Sequence, residues 1–287
     1  MTRGILSDEF DKTQEPLPFQ YHNGPLLFGK ISINLIWYGN FKPSRRAIVS
    51  DFITSLTSPS SSKPKADQPS VNTWWKTIET YQRLTNSNSK KPSSLSVSSG
   101  AEFIDETYSL GKTLTSKHIV RLTSKGGQKD AVKVVLTAAD VADNKLRGNI
   151  KSSKFSYIWV RNSETQCPGQ CAWPFNQPIY GPQAQPLIAP NNDVGLDEVI
   201  INLASLLART ATNPFGNGYF QGPKEAPLEA GSACPGTFGK GAYPGYAGDL
   251  LVDPTTGAGY NFHGGYGRKY LLPALFYPST STCSTLV

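Results

Sequence analysis

Lys30 to Tyr38 reads Lys-Ile-Ser-Ile-Asn-Leu-Ile-Trp-Tyr. Ile31, Ile33 and Leu35 alternate with Ser32 and Asn34, so apolar side chains fall on one face of an extended chain and polar ones on the other, the period-two signature of a strand. Pro43-Ser44 follows closely, and Ala47, Ile48, Phe52 and Leu56 then recur at three- and four-residue spacing, which puts them on one helical face. That helix stops near Pro59. Strands that alternate with helices build layered α/β or α+β architectures, and this is the fold class expected here.

The pattern continues outward from that unit. Ser58 to Pro69, rich in Ser, Pro and Lys, has too little apolar surface to repay ordering and reads as an exposed loop. Ser70 to Leu84 is helical through Val71, Trp74, Ile78 and Tyr81, and Thr85 to Ser99 reads as a second polar loop. Ser116 to Ser124 reads as a short helix, and Ala131 to Thr137 and Phe155 to Val160 as buried strands. From Asn162 the texture shifts to Cys, Pro, Gly, Asn and aromatics, interrupted by one helix from Leu196 to about Ala211 with a core stripe of Leu196, Val199, Ile200, Leu203 and Leu207. Pro214 to the end is turn-rich. Residues 1–20 read as a polar leader and 21–287 as a single domain.

The net charge of +7 is uneven: residues 1–154 hold 22 Lys/Arg against 13 Asp/Glu, and residues 155–287 hold 6 against 8. The cations of the first half are scattered singly or in pairs (Arg45-Arg46, Lys90-Lys91), which argues for a solvated basic surface rather than a nucleic-acid stripe. No stretch approaches the roughly 18 apolar residues that a membrane span needs, and Met1 to Phe19 lack the apolar core of a signal peptide.

Four cysteines permit two disulfides. Cys167 and Cys171 lie in Cys-Pro-Gly-Gln-Cys, while Cys234 and Cys283 stand alone, so the second close pair typical of a zinc site is missing. His22, His118 and His263 are far apart, and no Gly-x-Ser-x-Gly elbow accompanies them. The glycine-rich runs Gly239 to Gly248 and Gly264 to Gly267 follow no clear strand and open no clear helix; they read as turns rather than phosphate cradles. Trp37 and Trp159 lie on expected strands and belong to the core, whereas Trp75, next to Trp74 on a helix, is the one expected at the surface.

Several longer strings are far more specific. Val-Leu-Thr-Ala-Ala-Asp-Val at 135–141, Ser-Glu-Thr-Gln-Cys-Pro-Gly-Gln-Cys-Ala-Trp-Pro-Phe at 163–175, Ala-Pro-Asn-Asn-Asp-Val-Gly at 189–195, Thr-Asn-Pro-Phe-Gly-Asn-Gly-Tyr-Phe at 212–220 and Gly-Arg-Lys-Tyr-Leu-Leu-Pro-Ala at 267–274 resemble the plant EXORDIUM, or phosphate-induced protein 1, family. The resemblance covers nearly all of Tyr21 to Val287. It implies a secreted protein of the cell wall and apoplast, linked to phosphate-responsive and brassinosteroid-dependent growth. Members usually begin with a signal peptide and carry an extra Cys pair with a nearby His-Gly between the two middle strands; this sequence has Asp143 to Lys151 there instead.

Some relatives carry His-Glu-x-x-Glu just before the Asn-Pro that matches Asn213-Pro214, similar to the metal helix of zincin peptidases. Residues i and i+4 share a helical face, so a His and a carboxylate there can grip one Zn²⁺ while the Glu beside the His activates water. The three positions fall on Ser205, Leu206 and Arg209. A neutral hydroxyl, an aliphatic chain and a permanent cation cannot do that work. The resemblance therefore implies a mixed sheet with packed helices like a zincin-type scaffold, without metal or cofactor, and with no catalytic activity. The resemblance sets Glu229 against a third metal-side carboxylate of those relatives, and here it is expected as a capping or loop-stabilising group. The partner expected is an anionic wall polysaccharide or an extracellular protein, met through the basic half. A second reading is a hydrolase of wall carbohydrate or peptide with a non-zinc site centred on Glu229, Asp193 and His263.

Overall fold

The computed structural model describes residues 19–57, 68–85, 95–127, 131–143, 148–152, 155–162, 172–177, 181 and 184–287. Cys167 and Cys171 lie outside them. Five strands form the central sheet: β1 (Gly29–Tyr38), β2 (Leu95–Asp105), β3 (Ala131–Thr137), β4 (Gly148–Ser152) and β5 (Phe155–Arg161). Their spatial order is β2-β1-β3-β5-β4, parallel throughout except for β4, which pairs antiparallel with β5 as an edge. The helices are α1 (Pro43–Ser55), α2 (Val71–Thr85), α3 (Ser116–Lys125) and α4 (Val194–Thr212). The mixed α/β class read from the sequence is the one found.

Connection geometry explains the layers. β1 lies between β2 and β3, so the chain leaves β1 in one direction and leaves β2 in the other. Right-handed crossovers then place α1 and α2 on one face and α3 on the opposite face. Side-chain alternation along β1 agrees: Ile31 and Ile33 meet Trp75 of α2 and Leu207 and Ala211 of α4, whereas Asn34 and Ile36 turn toward Gly126 at the end of α3. Asn34 is fully buried. Its Nδ2 donates to the Gly126 carbonyl at 2.5 Å and its Oδ1 accepts from the Ala101 amide at 3.0 Å, at the point where the β1–β2 register shifts. The polar residue inside an apolar strand is thus a fully used stitch between strand, bulge and helix, and a Cβ on Gly100 would fall 2.0 Å from its Oδ1.

Several expectations need correction. Residues 95–99 are not loop: Leu95 and Val97 are buried and alternate with exposed serines at the start of β2, an edge strand whose solvent face disguised it. Trp75 is 2% exposed, because α2 packs against α4 and the sheet on one side while Trp74 donates to the Pro273 carbonyl at 2.8 Å on the other. Ala47 is exposed, and the buried stripe of α1 is Ile48, Val49, Phe52 and Ile53. Phe19 and Gln20 are not leader: Gln20–Tyr21 pairs with Tyr219–Phe220, and Phe19 stacks on Phe276 at 4.5 Å.

Residues 214–287 form short two-stranded pieces, Leu251–Val252 with Gly259–Tyr260, Phe262–His263 with Lys269–Tyr270, and Leu275–Tyr277 with Thr282–Ser284. The Cys234–Cys283 disulfide joins this layer. It covers the outer sides of α1 and α2 through Tyr270 Oη to the Ile48 carbonyl at 3.0 Å and Arg268 Nε to Asp51 at 2.8 Å. The glycine-rich runs are turns, as read: at Gly248 (φ +98) a Cβ would lie 2.2 Å from the Gly239 carbonyl oxygen. No helix among the described residues is long and apolar enough to cross a membrane.

Candidate functional site

Helix α4 carries the positions that the sequence singles out. Asp193 is its N-cap and accepts the Leu196 amide at 3.1 Å, while Asp197 in the first turn and Arg209 in the last oppose the helix dipole correctly. Leu196, Val199, Ile200, Leu203 and Leu207 are all buried, so the predicted stripe anchors the helix to the sheet. The other side of α4 faces β5 across a cavity of about 200 Å³ lined by Trp159, Arg161, Asn202, Ser205, Leu206 and Arg209.

Within that cleft the chemistry is spent on structure. Ser205 Oγ donates to the Ile201 carbonyl one turn back, at 3.1 Å. Leu206 offers no proton acceptor. Arg209 Nε pairs with Oε2 of Glu229, whose side chain is 1% exposed. Asn213 Nδ2 donates to the other Glu229 oxygen at 2.5 Å, and Asn213 Oδ1 accepts the Gly218 amide at 2.7 Å. A carboxylate buried this deeply needs a cation and hydrogen-bond donors, and it has both. The guanidinium supplies the positive charge that the buried Glu229 carboxylate requires. Among the described residues no group of three or more His, Cys, Asp or Glu could hold a metal ion.

Glu229, Asp193 and His263 are not brought together. Glu229 is bonded to Asn213 beyond the last turn of α4 and Asp193 caps its first; a 19-residue helix separates these ends by about 28 Å. His263 lies on the short strand paired with Lys269, its ring 5.2 Å from that of Tyr260. Burial, with Lys269 nearby, holds its pKa below the ordinary imidazole value.

A second and larger cavity, about 760 Å³, opens between the N-terminal ends of α1 and α4. Lys42, Arg45 and Arg268 line it, with Asp193 as its one carboxylate. Arg45 Nε binds Asp193 Oδ2 at 2.6 Å, and Arg268 Nε binds Asp51 Oδ2 at 2.8 Å. It sits beyond the carboxyl end of β1, where open α/β sheets commonly hold ligands.

The phosphate-induced protein 1 conserved region matches residues 19–286 of the chain. The chain belongs to the phosphate-induced protein 1 family. It is 67% identical to Protein PHOSPHATE-INDUCED 1 of Nicotiana tabacum over 93% of this chain and 88% of that one. It is 63% identical to Protein EXORDIUM of Arabidopsis thaliana over 96% and 92%, and 60% identical to Protein EXORDIUM-like 1 of the same plant over 98% and 94%. No solved structure matches it.

In this phosphate-induced protein 1 chain, the wall of the larger cavity rests on a buried acid that sequence reading missed. Asp197 is 2% exposed; it accepts the Asn191 amide at 2.8 Å and Asn191 Nδ2 at 2.6 Å, which holds the 189–193 loop to α4. Burial pushes its pKa up to about 7, opposed by the two Asn191 donors and by Arg268, and reinforced by Asp193. In the unfolded chain an Asp titrates near 3.9. Between these values the folded state binds one more proton than the unfolded state, so this group's contribution to stability falls as pH rises from about 4 to about 7, by at most about 4 kcal/mol. Asp197→Asn is expected to flatten that slope. Urea midpoints at four pH values between 4.5 and 7.5 check it; parallel curves for the two proteins would reject it. The signal for this region was present in the sequence as Asn191-Asn192-Asp193 ahead of the α4 stripe and as the Pro43 start of α1, but only the fold joins them to Arg268.

Proposed function

We propose that this protein is a non-catalytic, secreted component of the plant apoplast and cell wall, acting in phosphate- and brassinosteroid-responsive growth on a zinc-peptidase-like scaffold that has lost its metal. The observation that carries this reading is the Arg209–Glu229 ion pair. Arg209 occupies one Glu229 oxygen and Asn213 the other, so a dication would have to displace one of them, and Leu206 beside it has no lone pair to accept a proton from water. The sheet supports the scaffold part: its one antiparallel strand, β4, lies at the edge next to α4, where an extended peptide could add alongside a metal helix. The names of the relatives support a role in plants and a link to phosphate. The Cys234–Cys283 bond supports an oxidising compartment. The partner class is an anionic wall polysaccharide or an extracellular protein.

Metal analysis and a peptide-substrate screen of the purified protein test the reading. No stoichiometric zinc and no chelator-sensitive cleavage are expected; either one would overturn the loss of function. A revertant tests the scaffold separately. Ser205→His combined with Arg209→Glu places two ligands one turn apart with Glu229 behind them. A folded revertant that takes up one zinc supports the scaffold, and a folded one that takes up none removes it. A fluorescent tag on the full-length chain, followed in plant cells, tests the compartment, and retention in the cytosol would refute it.

A further inference from the structure

We infer that the cavity between the starts of α1 and α4 is a binding site for an oxyanion, carboxylate or phosphate, carried on a polyol of sugar size. Its lining holds three cations, Lys42, Arg45 and Arg268, against one carboxylate, Asp193. Both arginines are held in the same manner: each uses Nε to bind an aspartate, Arg45 to Asp193 and Arg268 to Asp51, with side chains 28% and 30% exposed. That contact fixes each guanidinium plane. The Nη groups of both have no acceptor among the described residues. Two oriented forks with unspent N–H donors facing a solvent-filled cavity are the arrangement that recognises a planar carboxylate or a phosphate in two-pronged fashion.

Two further observations add to the forks. α1 begins at Pro43 behind an N-cap, Lys42, that supplies no side-chain acceptor, and its first turn holds no acidic residue, so the positive end of the helix dipole is left uncompensated beside Lys42. The volume, about 760 Å³, is far more than one ion needs. Ile188, 53% exposed, gives the cavity an apolar wall for the body of a ligand, and Asn192 and Ser44 give it neutral polar groups suited to hydroxyls. Among the described residues the lining contains no aromatic side chain, and its polar groups rather than stacking carry the recognition. It lies at the opposite end of α4 from the Arg209–Glu229 pair. The inference rests on the reading above only for the sign of the partner's charge.

The test is calorimetric titration of the full chain with trigalacturonate, inorganic phosphate and neutral maltotriose, at low and high salt. Trigalacturonate should bind, weaken at high salt, and be tenfold or more weaker, as an order of magnitude, for Ser44→Glu, whose new carboxylate would answer both Lys42 and the helix dipole. That variant adds a favourable charge to a helix start, so its melting temperature should hold or rise and loss of binding cannot be put down to misfolding. Lys42→Gln, at an exposed position, should weaken binding about threefold. Displacement of the trimer by phosphate would assign the site to oxyanions at large; failure of phosphate to compete would assign it to the carboxylated sugar. Equal binding of maltotriose, binding unchanged in Ser44→Glu, or no binding of either anion would each overturn the inference. Retention of the whole protein on immobilised polygalacturonate is a separate measurement, and if it persists in Ser44→Glu the basic surface of the first half holds the polymer while this cavity does not.

Discussion

Arg209→Ala is expected to lower stability by about 3 kcal/mol at pH 7, among the largest losses available from one surface-reaching side chain. The reason lies with the partner. Glu229 is 1% exposed, and removal of the guanidinium takes from its carboxylate the cation it is paired with while the Asn213 donor stays. A charge so placed and left without its counter-ion carries a desolvation cost that nothing else repays. Removing both partners in Arg209→Met/Glu229→Gln should restore most of the stability, because the buried charge disappears with its counter-ion. Urea unfolding of the wild-type protein and the two variants measures all of this. A cost below about 1 kcal/mol, or a double variant no better than Arg209→Ala, would mean that the pair is not what holds the end of α4.

The second large effect belongs to the Cys234–Cys283 bond. It closes a loop with a sequence separation of 49, which in the chain-entropy account is worth about 4 kcal/mol. For a chain of this length that corresponds to a fall of roughly 10 °C in melting temperature on Cys283→Ser. The expected loss is not spread evenly. Strand Leu275–Tyr277 pairs with Thr282–Ser284, and Tyr81 donates to the Phe276 carbonyl, so release of Cys283 should loosen the cover over α2 before the sheet. Hydrogen exchange with and without the bond would reveal that order. Uniform loosening of the sheet, or a melting temperature unchanged to within a degree or two, would contradict it.

How much of this the sequence revealed depends on the physics behind each element. β1 and α4 were legible because their apolar residues repeat with the period of the structure they form, over nine residues or more. β2 was not, because in Leu95-Ser96-Val97-Ser98 half the residues face water and the other half are few. β4 was not, because Gly148-Asn149-Ile150-Lys151-Ser152 contains one strong strand former. Trp75 was misplaced for a different reason: single-helix periodicity assumes one buried face, and α2 has two. The pairing of Arg209 with Glu229 was half visible, since the family resemblance singled out both positions without joining them as an ion pair. The larger cavity was visible only in pieces, the two helix starts, since Arg45 and Arg268 approach each other only through the fold.

Residues of α1 and α2 take their outer cover from partners about 200 positions downstream: Ile48 from Tyr270, Asp51 from Arg268, Trp74 from Pro273, Tyr81 from Phe276. Gln20–Tyr21 waits equally long for Tyr219–Phe220. At ordinary ribosomal speed this means roughly 10–40 s during which Trp74 and its neighbours emerge with nothing to lie against. Arrival of residues 268–276, rather than formation of any one strand, decides when these greasy faces are hidden. The newborn chain must be sheltered until that segment emerges.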